Sequence, residues 1–243
     1  MAIFQMFNSA KNTCESSLLE NHIDMTYPMH VIGLGVADTA ILASEARNAL
    51  GNADMVIGSE RQLMMVAHTL EIMSELNQDD KNGSATQQVI LPKLAELEQL
   101  ILANQQLKIV VLASGDPLHY GIGRWLMKKF GKHNLQFHSG VSSVQAACHH
   151  LGLALQDIQV LSLHGRPLAK IYTVLKNNHK LVVLTDKNSQ PQHLAQACIH
   201  AGFNDSKITV CERLGYEEQS IRSFSVADLA TSRERFNALH VSV

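Results

Sequence analysis

The sequence is poor in charged residues and in cysteine, and it has no long apolar run. Asp, Glu, Lys and Arg make up only 17% of the 243 residues while apolar types make up 46%, a balance that argues against intrinsic disorder. The 20 basic and 22 acidic residues nearly cancel, and without a dense basic stripe nucleic acid is a poor candidate for a partner. We therefore expect a compact protein with enough apolar residues to bury a core.

The four cysteines lie far apart and form no C-x-x-C pair, unlike the dense cysteine framework of small secreted domains. No apolar run approaches the roughly 18 residues of a membrane span, and the N-terminus lacks a basic region followed by an apolar one. These absences predict a reduced, cytoplasmic protein with no membrane partner.

Several catalytic signatures are also missing, including the P-loop, the G-x-S-x-G elbow, H-E-x-x-H and any cysteine and histidine cluster at zinc spacing. His149 and His150 are adjacent on a predicted helix, where their side chains diverge by about 100 degrees and cannot easily share one metal. Hydrolase chemistry and a metal site are therefore disfavoured.

Apolar runs typical of strands alternate with helical patterns along most of the chain, which predicts an α/β fold. The predicted strands are residues 30–32, 54–57, 89–91, 108–112, 135–138, 158–163, 181–184, 208–211, 220–224 and 239–243. The predicted helices are residues 40–50, 93–104, 123–130, 168–176 and 193–201, with another from about Glu60 and a polar surface loop over 77–88.

The order of these elements predicts two α/β lobes, residues 29–139 and residues 140–243, preceded by a tail of residues 1–28. The run 108–112 is apolar throughout, as in a parallel sheet covered on both faces, so the first sheet is predicted to be mostly parallel. Two β-like pieces close the chain without long helices between them, which predicts a mixed second sheet. The apolar residues of the tail follow neither the helical nor the strand period, and the tail is expected to be dispensable for folding.

The first turn that could bind a ligand is Gly33-Leu34-Gly35, directly after a predicted strand. A backbone without Cβ atoms lets a cofactor approach, as in dinucleotide-binding loops. The third glycine of that fingerprint is replaced by Asp38, and the nearest acid after the second strand, Glu60, lies late. A dinucleotide-dependent reductase and a plain tight turn both remain open at this point.

The second turn begins Ser114-Gly115-Asp116-Pro117 and directly follows the most strand-like run in the chain. Open α/β sheets bind ligands outside the carboxyl ends of their strands, and a turn so rich in Gly, Pro, Asp and Ser offers free backbone groups there. We favour a cofactor loop over a simple β-turn in which Asp116 is a local cap.

Three later turns also follow predicted strands, and each has a structural alternative. Ser142 can cap a helix or bind a ligand. Arg166 can pair with a carboxylate through its planar guanidinium or lie free on the surface. Glu212 and Arg213 end an apolar strand, which a salt bridge would explain equally well.

Taken in order and spacing, these segments resemble the tetrapyrrole methylase family, and most closely its branch that methylates C5 of cobalt-precorrins in corrinoid synthesis. The matching segments are VIGLGVAD, ADMVIGSERQL, VVLASGDPLHYGIG, HSGVSSVQAA, LSLHGRP, LVVLTDKNS and VCERLGYEEQSI. They cover nearly all of the chain from His30 to Val243. In three departures, Leu34 to Ala37 replace a common Gly-Pro-Gly, Ser139 replaces a common proline, and Gln219 replaces a common Glu.

The resemblance implies two α/β lobes with S-adenosylmethionine bound in the cleft between them, and usually a homodimer. Carried over residue by residue, the implied cofactor-binding positions are Gly35, Ser114, Gly115, Asp116, His119, Ser142, Ser143 and Leu184. The glycine-rich first turn is implied to face the substrate side of the cleft.

Methyl transfer from a sulfonium needs little covalent help, because holding donor and nucleophilic carbon within about 3 to 3.5 Å and excluding water accelerates the displacement. No residue need be an indispensable catalyst, and the candidates for an assisting base are Asp116, His164 and Glu212. A corrinoid precursor carries many carboxylates, which gives Arg166 and Arg124 a purpose in substrate binding.

The expected activity is therefore C5 methylation of a precorrin with S-adenosylmethionine as cofactor. A dinucleotide-dependent oxidoreductase and a non-catalytic tetrapyrrole-binding homologue are the alternatives. Some relatives carry a second domain that methylates C15 and removes a carboxylate, and we expect that step to belong to a separate protein.

Overall fold

The computed structural model describes residues 23–76, 86–236 and 241–242, which form two α/β lobes. The first lobe contains β1 (Met29–Gly33), α1 (Ser44–Gly51), β2 (Met55–Gly58), α2 (Glu60–Leu76), β3 (Gln87–Ile90), α3 (Leu94–Ala103), β4 (Ile109–Ala113), α4 (Gly123–Phe130) and β5 (Leu135–His138). The second lobe contains α5 (Ser143–Leu151), β6 (Ile158–Ser162), β7 (Lys180–Leu184), α6 (Pro191–His200), β8 (Lys207–Glu212), β9 (Ser220–Ser225), α7 (Val226–Thr231) and β10 (Val241–Ser242). Short 3₁₀ helices cover Lys132–Asn134, Leu155–Asp157 and Leu168–Thr173.

The first sheet has the strand order β3-β2-β4-β1-β5, and every neighbouring pair is parallel. The prediction of a mostly parallel sheet is confirmed. Strands β2 and β4 are buried along their whole length, because apolar side chains from the helices cover both faces of the sheet. Since β4, β1 and β5 are neighbours, the loops that follow them meet at one edge.

The second sheet is mixed, as its sequence predicts. Its order is β6-β7-β10-β8-β9, with β6 and β7 parallel and the remaining pairs antiparallel. Strand β10 lies between β7 and β8. Val241 is opposite Leu184 and Cys211, and Ser242 is opposite Val183 and Val210.

Two predicted helices differ from the structure. Residues 168–176 form a 3₁₀ helix over Leu168–Thr173, not an α-helix. The helix predicted over 40–50 begins only at Ser44, after Ala43, whose side chain makes no capping hydrogen bond. Residues 77–85 of the predicted loop lie outside the described residues, and its last two residues, Gln87 and Gln88, belong to β3 instead. The last predicted strand is described only as β10.

The chain joins the first lobe before residue 29, so the tail predicted for residues 1–28 is too long. Met25 is 7% exposed and packs in the core. The Asn134 side chain accepts a hydrogen bond from the Met25 N–H and donates to the carbonyl oxygens of Ile23 and Phe130. Residues 1–22 lie outside the described part of the chain.

Neither a membrane span nor a metal cluster occurs among the described residues. No helix there is long and apolar enough to cross a bilayer, and no three His, Cys, Asp or Glu side chains are grouped to hold a metal.

The three described cysteines, Cys148, Cys198 and Cys211, are buried free thiols. Burial raises the pKa of each, to about 11 for Cys211, so these thiols belong to the core and are not reactive thiolates at neutral pH.

Candidate active site

Three loops at the carboxyl ends of β1, β4 and β5 interlock through their glycines. Gly35 and Gly115 exchange two backbone hydrogen bonds, Gly35 N–H to Gly115 O at 3.2 Å and Gly115 N–H to Gly35 O at 2.8 Å. A Cβ added to Gly33 would lie 2.5 Å from the Gly115 oxygen, and one added to Gly140 would lie 2.3 Å from the same atom. No side chain fits at either position, so the three loops form one continuous backbone surface.

The backbone of Gly115 is left-handed, with φ at 62°, a conformation that favours glycine. A Cβ there would point toward the second lobe, 3.5 Å from the Cα of Ser142. The glycine loops of the first lobe therefore lie directly against the N-terminus of α5. This narrow space is the place where the sequence predicts a cofactor.

The Ser142 side chain is committed to capping α5. Its hydroxyl accepts a hydrogen bond from the Gln145 N–H at 3.2 Å, and the Gln145 side chain accepts one from the Ser142 N–H at 2.9 Å, a reciprocal capping box. Ser142 is buried, whereas Ser143 is half-buried in the first turn. Ser142 therefore caps α5, and its role in cofactor binding stays a prediction. The Ser143 hydroxyl is the more available of the two to a ligand.

Gln62, a buried glutamine that is not among the residues predicted from the sequence, orients Ser114. The amide of Gln62 donates to the Ser114 Oγ at 3.0 Å, while its oxygen accepts from the Ser59 N–H at 2.7 Å. The Ser59 hydroxyl in turn accepts from the Gln62 N–H. The spacing S-x-x-Q is a capping-box signature and could have revealed this link between α2 and the loop after β4.

The loop after β4 is a tight turn whose carboxylate has a local partner. The Asp116 Oδ1 accepts a hydrogen bond from the Leu118 N–H at 2.8 Å, which is the capping role that the sequence left open. Tyr120 has a left-handed backbone with φ at 58°, uncommon for a bulky residue. Its ring meets the half-buried His119 edge-on, with 5.0 Å between centroids.

Two arginine and tyrosine pairs join the lobes across the cleft. The guanidinium of Arg166 lies 5.8 Å from the ring centre of Tyr120, and that of Arg61 lies 5.2 Å from the ring centre of Tyr216. Such cation–π contacts hold both guanidiniums at the cleft. Arg166 is exposed and also donates to the carbonyl oxygen of Ser162 at 3.2 Å.

The loops of the two lobes also touch through the backbone near Tyr216. A Cβ added to Gly215 would lie 3.0 Å from the Cα of Ala37 in the loop after β1. Val36 from the same loop packs against the core of the second lobe. The loop after β1 therefore bridges the lobes instead of leading straight into a helix.

Asp186 fixes the loop that carries Arg166. Its carboxylate accepts hydrogen bonds from the N–H groups of Gly165, Asn188 and Ser189, the first at 2.8 Å, and from the Ser189 hydroxyl. These donors, led by the Gly165 N–H, lower the pKa of Asp186 to about 2. The loops after β6 and β7 are thereby tied together at the cleft.

The other candidate residues have different surroundings. Leu184 ends β7 half-buried against the core of the second lobe, and Arg124 is exposed in the first turn of α4. His164 is exposed in the loop after β6.

Glu212 is 4% exposed and forms a salt bridge of 2.9 Å with Arg222, which also pairs with Glu234. The salt bridge of Glu212 is thus with Arg222 and not with the neighbouring Arg213, which pairs with Glu218.

The geometry disfavours the dinucleotide alternative. In a dinucleotide fold the pyrophosphate lies on a helix N-terminus directly behind the glycine loop. Here α1 begins only at Ser44, well after Gly33 and Gly35, so that helix end does not follow the loop directly.

Comparison with known proteins places the chain among methylases. The family model for tetrapyrrole (corrin/porphyrin) methylases matches residues 28–230. A protein of Methanocaldococcus jannaschii, named probable cobalt-precorrin-7 C(5)-methyltransferase, is 31% identical over 209 residues, which cover 83% of this chain and 91% of that protein. A Sinorhizobium protein, named precorrin-6Y C(5,15)-methyltransferase (decarboxylating), is 32% identical over 185 residues, or 76% of this chain. The match spans only 42% of that longer relative.

Solved structures share the fold at lower identity. Precorrin-6Y methylase of cobalamin biosynthesis from Archaeoglobus fulgidus has a TM-score of 0.61 at 18% identity, over 89% of this chain and 97% of its own. Uroporphyrin-III C-methyl transferase from Thermus thermophilus, complexed with S-adenosylhomocysteine, has a TM-score of 0.60 at 20% identity, over 88% and 96%. The shared architecture therefore extends over both lobes.

Proposed function

The chain belongs to the tetrapyrrole (corrin/porphyrin) methylases, and from this we propose that it transfers a methyl group from S-adenosylmethionine to C5 of a corrinoid precursor. The name of the relative from M. jannaschii supports both the substrate class and the position. The C15 step in the name of the Sinorhizobium relative is not proposed for these residues, because the match spans less than half of that protein.

The single observation that carries the proposal is the backbone cradle formed by Gly33, Gly35, Gly115 and Gly140. Any Cβ at Gly33 or Gly140 would collide with the Gly115 carbonyl, so the cradle presents backbone groups and almost no side-chain bulk. Such a surface lets a cofactor approach the loops closely. Gly35 and Gly115 already donate their N–H groups to each other's carbonyl oxygens, so side chains beside the loops supply the polar contacts. Ser114, Asp116 and Ser143 are the polar side chains around it.

S-adenosylmethionine, when bound, supplies a methyl group on a positively charged sulfur. The protein positions this group and excludes water from it. Gly115, Asp116 and the start of α5 hold the cofactor between the lobes. Ser114, oriented by Gln62, adds a fixed hydroxyl at the same edge of the sheet. Exclusion of water from this narrow space favours attack by the substrate carbon over competing hydrolysis.

The substrate side of the proposal rests on the two guanidiniums at the cleft. Arg166 and Arg61 are each held near a tyrosine ring from the opposite lobe, and a guanidinium can bind a carboxylate with two parallel hydrogen bonds. Side-chain carboxylates of a precorrin supply the matching groups. Asp116 and His164 remain candidates for an assisting base, whereas the salt bridge to Arg222 commits Glu212 to structure.

A titration of the full chain with S-adenosylhomocysteine tests the cofactor, and turnover of precorrins with mass detection tests the substrate. Gly115→Ala is expected to weaken cofactor binding. Gly152→Ala is the matched control, because Gly152 has the same φ of 62° with no atom near its missing Cβ. Equal affinities of the two variants would remove the loop from the site.

Each alternative function has its own result in these experiments. Binding of a nicotinamide cofactor, without S-adenosylhomocysteine, would favour the oxidoreductase alternative. Macrocycle binding without any methyl gain would favour the non-catalytic homologue. The homodimer and the cytoplasmic location stay predictions, and light scattering of the purified protein tests the first.

A further inference from the structure

The hydroxyl of Tyr216 is buried and has no hydrogen-bond partner among the described residues. Tyr216 lies in the loop after β8, and its residue as a whole is only half-buried, so the ring points its polar end into the protein. A buried hydroxyl that bonds to nothing is costly, because it has lost its hydrogen bonds to water and regained none. Such groups are rare in native proteins and require an explanation.

The guanidinium beside this ring also lacks an acceptor. Arg61, in the first turn of α2, lies over the Tyr216 ring, with 5.2 Å between its Cζ atom and the ring centre. Arg61 is exposed, and it forms no salt bridge with any carboxylate that the structure describes. Both groups are hydrogen-bond donors. The two lobes therefore bring two donors together in the cleft, and the described side chains provide no acceptor for either.

The other arginine and tyrosine pair at the cleft differs in both respects. Tyr120 is 50% exposed, so water can serve as a partner for its hydroxyl. Arg166 already donates to the carbonyl oxygen of Ser162 at 3.2 Å. Of the two pairs, the one formed by Arg61 and Tyr216 therefore has the greater need for an acceptor.

The loop that carries Tyr216 is held by its own hydrogen bonds. The Gln219 side chain accepts one from the Gly215 N–H at 2.8 Å, and the Tyr216 N–H donates to the Arg213 carbonyl oxygen at 3.0 Å. Gly215 also lies against Ala37 of the first lobe. This contact and the guanidinium over the ring both cross from one lobe to the other. We therefore expect a small separation of the lobes to open the hydroxyl to a ligand in the cleft.

We propose that the Tyr216 hydroxyl and the Arg61 guanidinium together bind one carboxylate of a ligand in the cleft. A carboxylate has two oxygens and can accept from both donors at once, and hydrogen bonds to a charged acceptor are stronger than those between neutral groups. The inference rests on the methyl transfer proposed above, in which the cofactor and the macrocycle both carry carboxylates.

Tyr216→Phe tests the inference, because it removes the hydroxyl and keeps the ring beneath the guanidinium. Two effects of opposite sign are expected. The midpoint of urea unfolding stays equal or rises, since an unpaired buried hydroxyl is lost, whereas binding of the carboxylate ligand weakens by about tenfold. Tyr172→Phe, which alters an exposed ring of the 3₁₀ helix Leu168–Thr173, is the matched control and is expected to change neither.

Calorimetric titrations of the full chain with two probes identify the source of the carboxylate. S-adenosylhomocysteine carries the amino-acid carboxylate of the cofactor, and uroporphyrin III carries the side-chain carboxylates of a tetrapyrrole. We expect Tyr216→Phe to weaken the binding of one probe and to leave the other unchanged.

A double variant tests whether the two donors share one carboxylate. Arg61→Gln is expected to weaken the binding of the same probe as Tyr216→Phe. Because groups that contact one partner are energetically coupled, the loss in Arg61→Gln/Tyr216→Phe is expected to be smaller than the product of the two single losses.

Three results would overturn the inference. Unchanged binding of both probes by Tyr216→Phe would mean that the hydroxyl meets no ligand. A lower unfolding midpoint together with weaker binding of both probes would indicate a structural hydroxyl. Single losses that multiply in the double variant would mean that the two donors bind different groups.

This inference and the proposed methyl transfer fail in different ways. If Tyr216→Phe methylates a precorrin with the KM of the wild type, only the carboxylate site is contradicted. If probe binding depends on Tyr216 but the wild type adds no methyl group, only the methyl transfer is contradicted. A wild-type protein that binds neither probe would contradict both.

Discussion

A Cβ on Gly140 would lie 2.7 Å from the carbonyl carbon of Gly33. Gly33 is the last residue of β1, Gly140 lies in the loop after the neighbouring strand β5, and the Gly115 carbonyl lies between their missing side chains. The cradle is thus a backbone contact that tolerates no added atom. Its shape depends on all three loops together.

Gly140→Ala is expected to push these loops apart. Overpacking of this kind costs about 1 to 3 kcal/mol, and affinity for S-adenosylhomocysteine falls because the cradle widens. Denaturant unfolding and calorimetry measure the two effects. Gly202→Ala is the control, since its Cβ would meet no atom although its left-handed backbone is strained, and it is expected to lower stability without loss of affinity. An unchanged affinity of Gly140→Ala would separate the cradle from cofactor binding.

Gln62→Ala is expected to release Ser114. The variant leaves the Ser59 N–H and the Ser114 hydroxyl without their partner, which costs about 1 to 3 kcal/mol and lowers cofactor affinity. Gln88→Ala, on an exposed side chain of β3, is the matched control. A stable Gln62→Ala protein with the affinity of the wild type would show that Ser114 needs no support from α2.

Asp186 is expected to make the stability of the second lobe depend on acid pH. Its folded pKa of about 2 lies below the ordinary value of 3.8, so the carboxylate stabilises the fold fully above pH 4 and loses this effect as the pH falls toward 2. The difference in unfolding free energy between wild type and Asp186→Asn is therefore expected to shrink over that range. Urea unfolding at several pH values measures it, with Asp205→Asn as a surface control. A difference that stays constant from pH 5 to pH 2 would contradict this account.

Removal of residues 1–28 is expected to destabilise the first lobe, because Met25 is buried and the Asn134 side chain bonds the backbone around it. Loss of a buried methionine side chain alone costs about 2 to 5 kcal/mol. Calorimetry compares the Tm of a protein that begins at Met29 with that of a protein that begins at Ile23, and the first is expected to have the lower Tm. Equal Tm values would mean that residues 23–28 add nothing to the fold.

Arg166→Ala is expected to raise KM for the macrocycle and leave the affinity for S-adenosylhomocysteine nearly unchanged. Loss of one guanidinium–carboxylate pair at a partly solvated site lowers affinity by about tenfold. Arg47→Ala, an exposed residue of α1, serves as the control. Equal loss of substrate and cofactor binding would indicate that Arg166 only stabilises the loop after β6.

Local patterns in the sequence were enough to predict most helices and strands, but not how these elements pack together. The segment Leu135–His138, in which apolar and polar residues alternate, and the amphipathic segment Gly123–Phe130 form the strand and the helix predicted for them, since each is decided by nearby residues. The start of α1 at Ser44 could not be predicted, because the preceding residue, Ala43, has no side chain that can cap a helix.

The site itself depends on strand order, which no local pattern encodes. The sequence predicts turns at Gly33 and Gly115, but the contact of both with Gly140 requires β1 to lie between β4 and β5. The partners of Gln62 and Asp186 are likewise set by tertiary packing. The sequence could therefore indicate which loops matter, but not that they share one carbonyl oxygen.

The position of β1 has a consequence for how the protein folds. His30 pairs with Val110 and Gln136, so β1, the first of the described strands, must wait for partners made about 80 to 110 residues later. Closing such long loops is entropically slow. Until then Val31 and Ile32, both fully buried in the finished sheet, are exposed on the nascent chain. Strands β8 and β9 pair across a short connection and can form early. The lobe that carries the glycine cradle is thus the slower to mature and the more dependent on protection from aggregation during synthesis.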